Sequence, residues 1–273
     1  MSDRPIVSVI IPTKNSAGTL EKCLSSIKDQ SYTDIELIVV DNFSTDNTPA
    51  IAQKYTDKFF QKGPERCAQR NFGVQQASGE FVAILDSDMY LAKDIIKECV
   101  NELSQDRYVG VIIPEQSVGE GFWSKCKALE RSFYVGVPYM EAARFFKKSI
   151  FNQVGGYDES MVSGEDWDLS QRIQKLGDLS RTNSYISHDE QRISLLKTIR
   201  KKFYYAQKFK AYAKKNKQSE SYRQQTNPLR RYWLFLSQPR KLWRHPIVAI
   251  GMLYMKTCEF GFGLLGSLFA KVS

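Results

Sequence analysis

The sequence predicts an α/β fold with a mostly parallel, Rossmann-like central sheet flanked by helices, followed by a helical C-terminal extension that is basic and apolar. Three observations carry that reading. Short β-branched runs alternate with helical patterns through the first half of the chain, which is the signature of strand–helix–strand units and a parallel sheet. Several of those runs end abruptly on a carboxylate, and in open α/β sheets ligands gather outside the carboxyl ends of the strands. The charge is also divided: of 39 Lys and Arg, 18 fall within residues 191–273, where Glu220 and Glu259 are the only acids out of 30. The net +9 is therefore a property of the extension, and an excess of this kind marks an anionic partner, nucleic acid or a phospholipid surface.

Taken in order, Pro5 to Pro12 is a near-continuous β-branched run, broken by Thr13-Lys14-Asn15-Ser16-Ala17-Gly18 before a helical pattern that begins near Thr19 and stripes Leu20, Cys23, Leu24 and Ile27. A second strand, Ile35 to Val40, ends in Asp41-Asn42-Phe43-Ser44-Thr45-Asp46-Asn47-Thr48, and the spacing implies a parallel pair with a right-handed crossover. Asp41 on its own fits a cap or turn, and Asp46 or Thr48 could cap a helix around Pro49 to Tyr55. A weak strand near Lys58 to Gln61 precedes a helix from Arg66 that delivers the chain to Gly79.

Phe81 to Leu85 then reads as a strand buried on both faces, and it ends in Asp86-Ser87-Asp88. Two carboxylates at such an end suit a hard divalent cation carrying a phosphorylated ligand, although Asp and Ser are also ordinary turn residues. Ala92 to Leu103 has helical periodicity, Tyr108 to Pro114 is another buried strand, and Gly121 to Tyr134 is helix-like. Ala142 to Phe151 leads through the turn Gly155-Gly156-Tyr157-Asp158 to a second acidic centre, Gly164-Glu165-Asp166-Trp167-Asp168. Acids at a helix amino end also have a structural explanation in the macrodipole.

With these pieces assembled, the first 190 or so positions resemble the inverting glycosyltransferases of family 2. The resemblance rests on a series in order: Val-Ile-Ile-Pro-Thr-Lys-Asn at the first strand, Val-Val-Asp-Asn-Phe-Ser-Thr-Asp-Asn-Thr at the second, Gln-Arg-Asn-Phe-Gly, Ala-Ser-Gly-Glu-Phe-Val-Ala-Ile-Leu-Asp-Ser-Asp, and Gly-Gly-Tyr-Asp-Glu before Gly-Glu-Asp-Trp-Asp-Leu. It implies the GT-A fold over residues 1–190 and a metal-dependent transfer of one sugar from a UDP- or GDP-sugar.

By the same resemblance, Pro12, Thr13 and Asn15 line the nucleotide crevice, Asp41 hydrogen-bonds the base, and Arg70, Asp86 and Ser87 attend the nucleotide sugar. Asp88, with His188, would hold Mn²⁺ or Mg²⁺; Asp166 would be the base that deprotonates the acceptor, with Glu165 as the neighbour that orients the acceptor or tunes that base. His188 is one of only two histidines, and a satisfied core or surface histidine is the competing reading. The second-strand motif departs from the family in carrying Asn42-Phe43 where Asp-Gly is common, which leaves the nucleobase open. No Gln-x-x-Arg-Trp follows Glu165-Asp166, so the resemblance implies single transfers rather than processive synthesis.

The extension opens with a basic amphipathic helix over Ile193 to Lys215, with Leu195, Leu196, Ile199, Phe203, Ala206 and Phe209 on one side. It fits a helix on an anionic membrane, and equally one docked on protein with a solvated basic face. Trp167, Lys202, Tyr204, Tyr205 and Lys208 are candidates for contacts with an acceptor or the membrane. Pro228 to Trp243 sets aromatics among arginines, as at a lipid interface.

Pro246 to Ala270 is mostly apolar but interrupted by Lys256, Glu259 and several small residues, so a re-entrant or in-plane hairpin is expected rather than a spanning helix. These features imply a lipid-linked or glycan acceptor at the cytoplasmic membrane face, with oligomer contacts as the other use of the extension. Five widely spaced cysteines without a Cys-x-x-Cys pair or secretory signal fit a reducing compartment. A nucleotidyltransferase is the enzymatic alternative. No recognised nucleic-acid motif accompanies the basic residues, and no nucleic-acid partner is expected.

Overall fold

The computed structural model describes residues 4–105 and 107–269. The chain divides into two compact units. The first comprises Met1–Glu115, Ala142–Glu159 and Asp166–His188; the second comprises Gln116–Glu141, Ser160–Glu165 and Asp189–Ser273.

In the first unit, β1 (Val7–Thr13), β2 (Ile35–Asp41), β3 (Phe59–Gln61) and β4 (Phe81–Ile84) alternate with α1 (Leu20–Lys28), α2 (Thr48–Gln53) and α3 (Arg66–Gln76). After β5 (Met89–Leu91) come α4 (Ile95–Leu103) and β6 (Gly110–Ile112). Strand β7 (Glu115–Glu120) and helix α5 (Phe122–Ser132) follow in the chain, and the first unit resumes with β8 (Ala143–Lys147), α6 (Lys148–Gln153), α7 (Glu165–Gln174), β9 (Leu179–Arg181) and the start of β10 (Ile186–Arg192).

The sheet runs β3-β2-β1-β4-β8-β6-β9. Strand β1 pairs in parallel with both β2 and β4, whereas β8 is antiparallel to both β4 and β6. The mostly parallel sheet expected of the sequence is thus present, with β8 as the one reversed strand, between β4 and β6.

Burial explains why these strands read as continuous apolar runs. Every residue of β1 and β4 is buried. One face packs Val7, Val9, Ile11, Leu37, Val39, Phe81 and Ala83 against α1 and α4, and the other packs Ile10, Ile38, Val40, Val82 and Ile84 against α3. Parallel strands covered on both faces have no solvated side to alternate toward. At the opposite end from the acidic loops, Glu36 accepts hydrogen bonds from Ser8, Ser78 and Lys58. Burial alone would raise its pKa, but those donors hold the carboxylate down at about 2.

The second unit is helical: α5, then α8 (Leu195–Lys208), α9 (Lys210–Asn216), α10 (Glu220–Thr226), α11 (Pro228–Leu236), α12 (Pro239–Arg244) and α13 (Pro246–Leu268). Two expectations are corrected here. The basic stretch 193–215 is two helices broken at Phe209, and Leu196, expected on the packed side, is exposed, whereas Ile199 is buried. Residues 246–268 form one uninterrupted helix rather than a hairpin; Ala270 lies outside the described residues.

Packing gives the reason the helix does not turn. Gly251 and Gly266 are close-approach positions: a Cβ would stand 2.4 Å from Phe122 Cζ at Gly251 and 2.4 Å from the Phe203 carbonyl oxygen at Gly266. Lys256 and Glu259, one turn apart, are neutralised by α5. Lys256 Nζ is 2.5 Å from Glu130 Oε1, and Lys127 Nζ lies 3.1 Å from Glu130 Oε2 and 3.7 Å from Glu259 Oε1. Burial alone would lower the pKa of Lys256 and raise that of Glu130, but the pairing reverses both shifts.

Candidate active site

The site is built at the carboxyl ends of β1, β2 and β4, where three loops are stitched together by side chains. At the end of β2, Asp41 is fully buried; its Oδ1 accepts from Thr13 Oγ1 at 2.8 Å and from Ser44 Oγ at 2.5 Å, and its Oδ2 accepts from the Ser44 amide at 2.7 Å. Asn15 adopts a left-handed backbone (φ 49°), and its Oδ1 accepts from the Thr45 amide at 2.9 Å. Ser87 Oγ donates to Ser16 Oγ at 2.8 Å, tying the Asp86-Ser87-Asp88 loop to the first. Pro12 is the penultimate residue of β1, and beneath it Gln69 of α3 donates Nε2 to the Thr13 and Val40 carbonyls at 2.9 and 2.6 Å.

Beside these loops lies a chain of ionisable groups. Arg70, a fully buried side chain on α3, donates Nη2 to Asp86 Oδ1 at 2.6 Å and Nη1 to Asp166 Oδ1 at 3.0 Å. Arg144 of β8 stands second to it, with Nη2 3.8 Å from Asp86 Oδ2 and 4.0 Å from Asp166 Oδ2, while its Nε donates to Glu115 Oε1 at 2.7 Å. Glu115 Oε2 is in turn 3.6 Å from His188 Nδ1, and His188 Nε2 is 3.1 Å from Asp88 Oδ2. Burial by itself would raise the pKa of Asp86; Arg70 and Arg144 instead hold it far below the usual carboxylate range. Behind the loop, burial and the Asp88 and Asp86 carboxylates push the Cys23 thiol well up, which leaves it unreactive.

Asp166 is positioned from two directions. Arg70 fixes Oδ1, and Tyr157 Oη donates to the same oxygen at 3.0 Å, with the Arg70 guanidinium 4.9 Å above the Tyr157 ring. The turn that carries Tyr157 is clamped by Asn71: its Nδ2 donates to the Tyr157 carbonyl and its Oδ1 accepts from the Tyr157 amide, both at 2.8 Å. Gly156, at φ 66°, cannot be replaced without strain, since a Cβ would meet Asn71 Oδ1 at 2.7 Å. Arg172 secures the same turn by donating to the Val154 and Gly156 carbonyls at 2.6 and 2.7 Å.

Asp86, Asp88, Arg70, Asp166 and His188, widely separated in sequence, are thus brought together. Thr13 and Asp41 end the adjoining strands, and Asn15 and Ser87 lie in the loops beyond the strand ends. Glu165 is buried at the start of α7, and Trp167 next to Asp166 is half-buried. Lys202, Tyr204, Tyr205 and Lys208 belong to α8 in the second unit. There the two tyrosine rings stack edgewise at 5.4 Å, and Lys208 Nζ is 6.0 Å from the Tyr204 ring.

Glu115, Arg144, Tyr157 and Gln69 were not singled out as site residues by the sequence. The available signals were an arginine inside the apolar strand Ala-Arg-Phe-Phe-Lys and yet another carboxylate, Glu115, just past a strand end.

A divalent cation has a partial donor set here. Asp88 Oδ1 is enclosed and accepts no hydrogen bond from the described residues, next to the Asp88–His188 pair. Among the described residues no group of three His, Cys, Asp or Glu could hold a metal. Two protein donors fit a cation that takes its remaining ligands from a diphosphate and water, as Mg²⁺ and Mn²⁺ do with phosphorylated ligands.

The chain is 38% identical over 94 residues to GalNAc(5)-diNAcBac-PP-undecaprenol beta-1,3-glucosyltransferase of Campylobacter jejuni, a match covering 31% of this chain and 30% of that protein. It is 39% identical over 102 residues to poly(ribitol-phosphate) beta-N-acetylglucosaminyltransferase TarS of Staphylococcus aureus, covering 33% of this chain and 18% of that one. The matches span less than half the length of these relatives.

Among solved structures, the mannosyltransferase PcManGT of Pyrobaculum calidifontis, in complex with GDP-Man and Mn²⁺, superposes with a TM-score of 0.66 over 99% of this chain and 89% of that one, at 19% identity. That similarity concerns the fold. The model of the glycosyl transferase family 2 domain matches residues 8–158, more than half of the sequence. With a GT-A-like sheet and its acidic loops in the family's order, the chain belongs to glycosyl transferase family 2.

Proposed function

We propose that the protein is a metal-dependent, inverting glycosyltransferase that moves one sugar from a UDP- or GDP-sugar to an acceptor hydroxyl or phosphate carried by a lipid-linked or glycan acceptor at the cytoplasmic face of a membrane. Residues 1–190 carry donor binding and catalysis, and 191–273 form the extension. The observation that carries the reading is the Arg70 bridge, which sets Asp166, the candidate base, beside the Asp86-Ser87-Asp88 loop at the strand ends. The fold and the Mn²⁺ and nucleotide-sugar complexes of its structural relatives support the donor class. The undecaprenol-linked substrate named for the Campylobacter relative supports the acceptor class.

In this mechanism Pro12, Thr13 and Asn15 line the nucleotide crevice, and Asp41 hydrogen-bonds the base. Asp86, Ser87 and Arg70 hold the nucleotide-sugar end. Asp88 and His188 would hold Mn²⁺ or Mg²⁺, which supplies charge neutralisation for the diphosphate as it leaves. Arg70 and Tyr157 fix Asp166 Oδ1, and Oδ2, with Arg144 4.0 Å away, would face the acceptor; Glu165 would orient the acceptor or tune the base.

The acceptor O–H proton passes to Asp166 as the acceptor oxygen bonds to the anomeric carbon. The anomeric carbon–diphosphate oxygen bond breaks on the opposite face, and its electron pair leaves with the nucleoside diphosphate, inverting the configuration. A positioned base of this kind is worth on the order of 10² to 10⁴ in rate.

The test is a panel of nucleotide sugars incubated with full-length protein and a polyprenyl-phosphate or glycan acceptor, with Mn²⁺, Mg²⁺ or EDTA. Release of nucleoside diphosphate that depends on metal and acceptor is expected. Release of pyrophosphate would instead identify a nucleotidyltransferase and overturn the proposal.

A further inference from the structure

We infer that the outer faces of α11, α12 and α13 form a docking surface for an anionic lipid bilayer, with α13 lying along the membrane rather than across it. This deepens the membrane-side reading above by naming the surface that would meet the lipid, and it does not require that sugar transfer be the reaction.

The helices leave large apolar side chains uncovered. Trp233 and Leu236 of α11, Trp243 of α12, and Ile247, Ile250 and Leu264 of α13 are each more than half exposed, Trp243 at 78% and Ile247 at 74%. The three helices are consecutive, and Tyr232 Oη lies 2.6 Å from Thr257 Oγ1, which sets α11 alongside the middle of α13. Ile247, Ile250, Tyr254 and Gly261 follow one side of α13 at helical spacing, all exposed, while Met252, Met255, Lys256 and Glu259 on the other side are buried. Large apolar side chains left open on three consecutive helices mark an interaction surface.

By length α13 could cross a bilayer: 23 residues make a helix of about 34 Å, against a hydrocarbon core of about 30 Å. Its buried side argues otherwise. Crossing would pull Lys256 and Glu259 away from Glu130 and Lys127 of α5, or carry all four charges and the lysine-rich α8 into hydrocarbon. With that cluster intact, only the outer stripe is available to lipid, which is the arrangement of an interfacial helix sunk about 5–10 Å into the headgroup and acyl boundary.

Charge selects the occupant. No Asp or Glu occurs between Ser221 and Cys258, and exposed Arg230, Arg240 and Arg244 stand close in sequence to Trp233 and Trp243. Aromatic side chains beside cations suit the headgroup level of a membrane. A second copy would bring the same excess of positive charge to the contact, whereas an anionic leaflet attracts it.

The experiment compares full-length protein with the triple variant Trp233→Ser/Trp243→Ser/Ile250→Ser in flotation with vesicles of phosphatidylcholine alone and with about a third phosphatidylglycerol. Folding is monitored by circular dichroism. Wild type should float with the anionic vesicles, and the triple variant's partition coefficient should drop at least tenfold. Vesicles containing brominated acyl chains should quench wild-type tryptophan fluorescence. A C-terminal epitope on the vesicle-bound protein should stay accessible to added protease.

Equal partition of wild type and a folded variant would overturn the inference. So would an epitope protected by the vesicle, which marks a spanning helix, or a concentration-dependent dimer abolished by the triple substitution without any change in vesicle binding. Asp166→Asn protein should float like wild type whether or not sugar transfer is the reaction, so failure of the docking surface and failure of the proposed chemistry read out separately.

Discussion

Asp86 and Asp166 share one guanidinium: the buried Arg70 donates to both, at 2.6 and 3.0 Å, and so couples the end of β4 to the start of α7. The candidate donor loop and the candidate base therefore form one electrostatic unit.

Asp166→Asn keeps the shape of the side chain and its capacity to accept from Arg70 and Tyr157 but cannot take a proton. Transfer should fall by about 10² to 10⁴, with donor affinity by calorimetry changed little. Unaltered turnover would remove Asp166 from the role of base.

Arg70→Met leaves Asp86 without its principal buried partner. Removing one member of a buried pair costs about 3–5 kcal/mol, so the urea midpoint should drop markedly. The double variant Arg70→Met/Asp86→Leu should recover part of the loss, because it removes the uncompensated charge with its partner.

His188→Ala and Asp88→Asn should each shift the Mn²⁺ concentration needed for nucleoside-diphosphate binding upward by at least tenfold, while metal-free nucleotide binding stays near wild type. Fluorescence titration of nucleotide at stepped Mn²⁺ separates the two. An unchanged metal requirement in both variants would exclude this pair as the cation site.

Acid should unfold the first unit through Glu36 and Asp86. The Glu36 pKa falls from 4.5 to about 2 on folding, and that of Asp86 is lowered further. Groups depressed in the folded state contribute stability that is fully present above their unfolded pKa and is lost as pH falls through the folded one. Denaturant midpoints should therefore be insensitive to these groups between pH 5 and 7 and fall from about pH 4 downward. Glu36→Gln should flatten part of that slope.

Gly266→Val should unseat α13 from α8, since the added carbon would meet the Phe203 carbonyl at 2.4 Å. Overpacking of this kind costs about 1–3 kcal/mol, visible as a lower melting temperature. Gly261→Ala, where nothing lies within 4 Å of a Cβ, is the matched control and should be neutral or slightly stabilising.

Much of the first unit was legible because its information is local. Buried parallel strands must be apolar on both faces, and their ends must turn toward solvent, so Phe81 to Leu85 running into Asp86 and Asp88 announces both a strand and the place where it stops. The resemblance points to Asp166 and His188, and the structure adds their neighbours. Arg144 was not legible as a site residue, because its position depends on β8 inserting antiparallel between β4 and β6, out of chain order. Tyr157 looked like part of a turn, and only the Asn71 clamp on that turn aims its hydroxyl at Asp166.

The extension divides in the same way. Its excess of basic residues, its aromatic–cationic stretches and its long apolar run are compositional facts that sequence determines alone. Whether Lys256, Glu259 and the glycines break that run was decided by tertiary structure, since a charge interrupts a helix only when nothing neutralises it and a glycine loosens one only when nothing packs against it. Here α5 supplies Glu130 and Lys127, and Phe122 and Phe203 close on Gly251 and Gly266, so the chain continues as one helix with a charged, buried side and an apolar, open one.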